Sequence, residues 1–264
     1  MSDAAIALER IAWPPRAEAD ARRMLAEETP VAIVHDGSTT AVMMATPADL
    51  EDFVTGFSLT EGVIDTVEDI LELEIVDQDD GVEARAWLRA GVGGRLAARR
   101  RRLAGPTGCG LCGVESLQEA ARPPVRIDRD LTCRAQDLVA AIEAMSRRQE
   151  LGRATRAAHA AAFWRAGEVR ALREDVGRHN ALDKLVGALA RAGEAPDGAI
   201  LLTSRVSVEM VQKAAAFGAP VLCAVSAPTA LAVRTAEAAG ITLVAVCRSD
   251  GFEVFSHPRR ILVD

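Results

Sequence analysis

The sequence predicts an α/β protein built as two lobes, and three observations carry that prediction. Within the first 90 residues, two pairs of apolar runs each flank an Asp-Gly dipeptide, with an amphipathic stretch between them, which reads as two hairpins around one helix. From His159 onward, short apolar runs alternate with helical patterns, as in a mainly parallel sheet with helices on its faces. Between these regions Pro123-Pro124 interrupts the pattern, so a small α+β lobe is expected over residues 1–124 and an α/β lobe over residues 125–264.

Taken in order, the stretch from Trp13-Pro14-Pro15 through Arg16 to Glu28 has few apolar residues and reads as strand and linker. Val31 to Val34 and Thr40 to Ala45 form the first hairpin about Asp36-Gly37. Thr46 is placed to cap a helix with Pro47 at its first position, and Leu50, Phe53, Val54 and Phe57 follow at helical spacing. Leu71 to Val76 and Val82 to Leu88 flank Asp80-Gly81 as the second hairpin. A basic run follows, Arg95 with Arg99 to Arg102, which is either a solvated face or an electropositive approach to the residues after it. Val114 to Ala121 reads as a short helix, and Thr132 as the cap of a longer one reaching Arg148. Strands are expected at His159 to Trp164, Glu168 to Leu172, Ala199 to Thr203, Val221 to Val225 and Ile241 to Val246. The intervening helices are Arg178 to Arg191, Val206 to Phe217 and Pro228 to Ala239.

Composition narrows the function. Apolar residues make up 49% and charged residues 26% of the 264, the balance of a folded globular chain. A net charge of −7, aromatics at 3% and no Tyr disfavour nucleic acid, which wants basic surface and stacking platforms. No apolar run is long enough to cross a bilayer, and Met1 to Arg10 lacks a signal-peptide pattern, so a cytoplasmic protein without a membrane partner is expected. In that reducing setting the five cysteines, 109, 112, 133, 223 and 247, are expected as thiols.

Two of them form the densest chemical signal, Thr107-Gly108-Cys109-Gly110-Leu111-Cys112-Gly113. Glycine beside the thiols removes bulk and permits positive φ, so the loop suits presenting sulfur to another molecule. A Cys-x-x-Cys pair also tends to lower one thiol's pKa, and thiolate is the reactive species. Further polar residues cluster where the sheet's strands should end: Thr203-Ser204-Arg205, Ser226-Ala227-Pro228-Thr229 and Cys247-Arg248-Ser249-Asp250-Gly251. Helix starts at Ser204 and Ser226 would offer free N–H groups to phosphates, although each loop alone is explained by the need for a cap. The stretch Arg173 to Lys184 is read as a ligand-lining junction, because a plain capped helix would not need both Arg178 and His179. His35 and His257 are read as structural, and His159 is left open.

With the thiol loop, Glu174-Asp175-Val176-Gly177-Arg178-His179-Asn180-Ala181-Leu182-Asp183-Lys184, and Ser204-Arg205-Val206-Ser207-Val208-Glu209-Met210-Val211-Gln212-Lys213 read, the chain resembles the FdhD family of formate dehydrogenase accessory sulfurtransferases. The resemblance runs from the Val31 hairpin and Glu61-Gly62 to the end of the chain. It implies a sulfur carrier, with a larger lobe similar to the cytidine deaminase fold, a three-layer α/β/α arrangement. Sulfur would come from a cysteine desulfurase as a persulfide on Cys109, with Cys112 as accessory thiol. It would pass to molybdenum, or tungsten, of a bis(molybdopterin guanine dinucleotide) cofactor before formate dehydrogenase receives that cofactor. The family's cofactor-contact segment falls on Val246, Cys247, Arg248, Ser249, Asp250 and Gly251 by position, with GDP expected to bind as a partial mimic. A homodimer is also implied. At Arg173 the chain departs from the His expected before Glu-Asp-Val-Gly-Arg-His.

Three other readings compete with this one. A zinc deaminase needs His-x-Glu and Pro-Cys-x-x-Cys, whereas His159-Ala160-Ala161 lacks the Glu and Gly108 precedes Cys109. A closed zinc or iron–sulfur site wants four ligands, and there is no second Cys-x-x-Cys. A chaperone that binds the molybdenum cofactor and hands it over without sulfur chemistry is the alternative from another class.

Overall fold

A computed structural model of the chain describes residues 4–10, 22–92 and 124–263. The chain opens with β1 (Ala5–Glu9) paired antiparallel to β2 (Arg22–Ala26) as a separate two-stranded sheet, so the opening polar stretch does contain a strand. Next come β3 (Thr29–His35) and β4 (Ser38–Ala45), helix α1 (Leu50–Thr60), then β5 (Ile70–Gln78) and β6 (Gly81–Leu88). The four strands make one sheet in the order β4-β3-β6-β5, with β3 and β6 parallel at its centre. Asp36 and Gly37 turn the first hairpin with φ of 49° and 72°, the pair of positive angles that matches strand twist. Alternation puts Val31, Ile33, Val82, Ala84 and Ala86 on one face, buried under Phe53, Val54 and Phe57 of α1.

The start of α1 differs from the sequence expectation. Thr46 does not cap it; the helix begins at Leu50 with Asp49 as its N-cap. Tertiary contacts claim Thr46 instead: its hydroxyl accepts from the Val176 N–H and its own N–H donates to Asp175, both in the other lobe.

The second lobe begins with the pair β7 (Cys133–Arg134) and α2 (Ala135–Arg148), then a short α3 (Glu150–Thr155) that the pattern did not reveal. Arg134, not Thr132, is the N-cap of α2, because Cys133–Arg134 pairs with β14 (Ile261–Leu262). There follow β8 (His159–Arg165), β9 (Glu168–Asp175), α4 (Arg178–Arg191), β10 (Ala199–Leu202), α5 (Val208–Phe217), β11 (Val221–Ala224), α6 (Ala230–Ala239), β12 (Thr242–Arg248) and β13 (Gly251–Ser256). Their sheet has the order β13-β12-β11-β10-β8-β9. It is mixed rather than mainly parallel: β10, β11 and β12 are parallel, whereas β8 and β13 run against them. Two-residue turns join β8 to β9 and β12 to β13, and so short a connection permits only antiparallel pairing.

Three layers result. Helices α4, α5 and α6 cover one face, where Leu182, Leu185, Met210, Val211 and Ala236 pack on Ile200, Leu202, Leu222 and Leu243. Helix α2 covers the other, where Leu138, Ile142 and Met145 meet Leu201, Cys223 and Val244. Each such Leu or Ile buried contributes about 1.5–3 kcal/mol relative to exposure. The lobes join where α1 lies against α4. Among the described residues, no helix is long and apolar enough to cross a membrane.

Candidate functional site

Strand direction decides which loops meet. Because β10, β11 and β12 are parallel, the loops after Leu202, Ala224 and Arg248 leave from one end of the sheet. Antiparallel β8 brings its first residue to that same end, where the Ala160 N–H donates to the Thr203 hydroxyl at 2.9 Å. Strand β9, antiparallel to β8, finishes there too, with Asp175 opposite His159. His159, the Arg178-His179 pair and the three polar loops are therefore gathered at one edge. Backbone bonds stitch the loops together: Val206 N–H to Ala227 O at 3.3 Å, Thr229 N–H to Val206 O at 2.9 Å, and Val246 N–H to Ser226 O at 3.3 Å.

That stitching moves the helix starts. A parallel bridge between Val206 and Pro228 holds both loops extended, so α5 begins after its N-cap Ser207 and α6 after Thr229, not at Ser204 and Ser226. The Thr229 side chain accepts from the Ala232 N–H. At α5 the terminus is already occupied by a carboxylate: Glu209 accepts from the Ser207 hydroxyl and from its own amide.

The Arg173 to Lys184 stretch divides by role. Asp175 is fully buried and accepts from Lys184 Nζ at 2.6 Å, Thr46 N–H at 3.0 Å, Gly177 N–H at 2.7 Å and Asn180 Nδ2 at 3.0 Å. Lys184 also donates to Thr46 O at 2.9 Å, and burial pushes its pKa down against the pull of Asp175. Asn180 donates to Met44 O. One turn on, Asp183 accepts from Lys213 Nζ at 2.8 and 2.9 Å and from the Thr60 hydroxyl at 2.6 Å. Arg173 is committed to Asp52 of α1 at 2.7 Å. These residues fasten the lobes together rather than line a ligand, and the departure at Arg173 is part of that fastening. Charged residues at Asp183 and Lys184, among the apolar positions of α4, were the signal for this in the sequence.

Arg178 and His179 remain at the sheet end. Nε2 of His179 is buried without a hydrogen-bond partner among the described residues and lies 3.7 Å from Glu209 Oε2. The His179 imidazole, together with the Ser207 hydroxyl, holds the Glu209 carboxyl down at about 2. Burial, and then Arg178 and His179, lower the pKa of neighbouring His159. Glu209 lies within a stretch already singled out, but its pairing with His179 needed the fold to be seen. His35, read as structural, is buried between the Thr40 and Ser58 hydroxyls.

Val246 to Gly251 forms the end of β12 and its hairpin into β13. A register shift between Ala245 and Arg248 accompanies a left-handed Val246 at φ 54°, and Arg248 pairs with Gly251 across the turn Ser249-Asp250. The bulge re-aims the strand so that Arg248, Ser249 and Asp250 are exposed, while Cys247 turns inward and is fully buried. To a ligand, Cys247 therefore offers only its backbone. Its thiol accepts from Cys223, which lowers Cys247 and raises Cys223. Burial pushes Cys133 up to about 11. All three described cysteines are thus enclosed and poorly suited to carry sulfur to a partner. Cys109 and Cys112, the expected carrier and accessory thiols, lie outside the described residues, as do the basic run Arg95 to Arg102 and the short helix expected at Val114 to Ala121.

The chain is similar to known proteins along most of its length. Residues 26–262 match the model of the FdhD/NarQ family. The sulfur carrier protein FdhD of Agrobacterium fabrum is 51% identical over 252 residues, covering 93% of this chain and 92% of the relative. That of Cupriavidus necator is 52% identical over 239 residues, covering 90% and 83%. Among solved structures, one from Desulfotalea psychrophila, described as a formate dehydrogenase accessory protein, superposes with a TM-score of 0.75 at 26% identity, covering 98% of this chain and 99% of that one.

Proposed function

From the premise that this chain belongs to the FdhD/NarQ family, a family of sulfur carrier proteins and formate dehydrogenase accessory proteins, we propose that it is a persulfide-based sulfurtransferase serving a molybdenum or tungsten cofactor. In this reading the Cys109 thiolate attacks the sulfane sulfur of a cysteine desulfurase persulfide. A new S–S bond forms on Cys109 and the desulfurase thiolate leaves. Cys112 is the neighbouring thiol, useful but not the carrier. The sulfur then passes to the metal of a bis(molybdopterin guanine dinucleotide) cofactor bound as substrate, and formate dehydrogenase is the destination.

The observation that carries this reading is the convergence at one end of the sheet. Exposed Arg248, Ser249 and Asp250 follow Val246, whose N–H bonds Ser226 O, and the Ser226 loop is stitched to that of Arg205, so cationic, hydroxyl and backbone donors lie at the strands' carboxyl ends. Phosphates and a purine edge are ligands of that chemistry. A cytoplasmic homodimer completes the reading.

The test is a mass measurement after incubation with a desulfurase and cysteine. Wild type and Cys112→Ala gain sulfur at Cys109, and Cys109→Ala gains none and leaves formate dehydrogenase inactive while still binding cofactor. Full formate dehydrogenase activity supported by Cys109→Ala would instead favour the chaperone that hands over cofactor without sulfur chemistry.

A further inference from the structure

We propose that the open face of the small lobe's four-stranded sheet is a docking surface for a basic face of the protein that donates sulfur, a cysteine desulfurase. This rests on the transfer reading above and adds to it where the donor binds. Helix α1 covers one face of the sheet, against Val31, Ile33, Val82, Ala84 and Ala86. Alternate residues point the other way. There Val42 is 62% exposed, Met44 48% and Trp87 39%, large apolar side chains on one sheet face that a protein partner would cover.

Charge selects the kind of partner. Residues 65–89 hold nine carboxylates against two arginines, a net charge of −7 that equals the net charge of the whole chain. Some of these carboxylates are engaged within the lobe: Arg85 pairs with Glu74 at 3.2 Å and with Glu83 at 2.8 Å, and Asp69 accepts from the Asp65 and Thr66 N–H groups. Glu72, Asp77, Asp79 and Asp80 are exposed and have no ion pair among the described residues. Glu72 stands opposite Trp87 across β5 and β6, so a free carboxylate and an open indole share one face. A guanidinium or ammonium can lie over such a ring while it pairs with the carboxylate. Glu72, Glu74 and Asp77 along edge strand β5 also oppose strand addition there, so the partner meets the face through side chains.

Position selects the donor over the recipient. At one edge of the sheet β4 is tied to the large lobe, where Asn180 donates to Met44 O at 2.8 Å. At the other edge β5 lies three strand spacings away, about 14 Å. The acidic half of the face therefore stands on the side of the small lobe away from that tie. A recipient must meet the cofactor, whose contact segment Val246 to Gly251 belongs to the large lobe, whereas a donor has no such need. β6 is also the strand from which the chain continues toward Cys109, 21 residues after Leu88.

Loading of the full-length protein tests this. A cysteine desulfurase with cysteine is the probe, and sulfur gained by the carrier is followed by mass against desulfurase concentration at about 0.05 and 0.2 M salt. The double variant Glu72→Lys, Asp77→Lys should raise the desulfurase concentration for half-maximal loading roughly tenfold at the lower salt and less at the higher, with the saturated rate and GDP binding unchanged. Trp87→Ala should raise it about threefold. Both should keep a cooperative urea transition, which separates weaker docking from unfolding. A wild-type half-maximal concentration in both variants, or a loss that saturating desulfurase does not restore, would overturn the inference and leave the transfer reading intact. So would normal loading with weakened delivery to formate dehydrogenase, which would assign the face to the recipient. If the wild type itself gains no sulfur, the transfer reading fails and this inference with it.

Discussion

Gly56 of α1 and Gly187 of α4 face each other at the lobe junction with backbone nearly touching backbone. A Cβ on Gly56 would lie 1.7 Å from Asp183 O, and one on Gly187 would lie 1.9 Å from Asp52 O. Two helices can approach this closely only where both lack a side chain. The close approach places Asp52 within reach of Arg173 and Arg191, and Asp183 within reach of Thr60. Glycine inside a helix costs about 1 kcal/mol relative to alanine, so these positions oppose helix propensity in return for a tight crossing.

Replacing either glycine by alanine should therefore destabilise the protein, against the usual effect of Gly→Ala in a helix. Overpacking of this kind costs roughly 1–3 kcal/mol, and more where the obstacle is backbone. Urea unfolding should show a lower midpoint for Gly56→Ala and Gly187→Ala, and an unchanged or higher midpoint would show that the helices separate freely.

Lys184 and Asp175 are both without solvent exposure and only 2.6 Å apart. Removing the ammonium in Lys184→Met strands a buried carboxylate and should cost about 3–5 kcal/mol. Combining it with Asp175→Asn removes the stranded charge, so the double variant should be more stable than Lys184→Met alone. A double variant that loses the sum of the two single losses would mean the pair is not coupled.

Acid should act through Glu209. Its folded-state pKa lies at about 2, below the ordinary 4.5, so its contribution to stability is complete above about pH 4.5 and fades as pH falls toward 2. Chemical unfolding of wild type and Glu209→Gln should then differ most near neutrality and converge as the solution is acidified. A difference that grows on acidification has the wrong sign for a depressed carboxylate.

Much of this was legible because local patterns and packing agree. Asp36-Gly37 announced its hairpin through backbone geometry alone, and the buried runs Ala199 to Leu202 and Val221 to Ala224 announced central strands through composition. What the sequence concealed depends on partners far along the chain. Thr46 has the chemistry of a cap, but Asp175 and Val176, some 130 residues away, take both its groups. Likewise Arg173 to Lys184 read as one ligand-lining junction, yet Asp175, Asp183 and Lys184 are drawn into the lobe junction and Arg178 and His179 remain at the sheet end. The mixed sheet was missed because periodicity reports burial, not direction; turn length reports direction.

GDP should bind at the exposed end of β12 with saturable affinity. Arg248 there is exposed and pairs through its backbone with Gly251, so its guanidinium is offered to solvent. Arg248→Ala should weaken binding, and added salt should weaken wild type more than the variant, because one screened charge contact is already missing. Calorimetric titration at two ionic strengths checks this, and absence of binding at millimolar GDP would remove the nucleotide site from the reading.

The last prediction concerns distance. After the thiol loop the chain is next described at Pro124, and Ile127 N–H there donates to Ala239 O, at the end of α6 and so beside the start of β12. Arg260 clasps the same region, donating to Arg129 O and Gly240 O. Val246 to Gly251 lies at the other end of β12, a strand of 7 residues that spans about 20 Å. Cys109 precedes Pro124 by 15 residues, a tether of at most about 50 Å when extended, so its sulfur has the length to travel from one end of the sheet to the other. Deleting residues 113–122 leaves a tether of roughly 17 Å, shorter than the strand it must pass. That variant should still accept sulfur on Cys109 from a desulfurase and still bind GDP, since neither needs the length, but should fail to deliver sulfur to bound cofactor. Delivery at the normal rate by the shortened chain would mean that the sulfur does not cross the length of β12 within one chain.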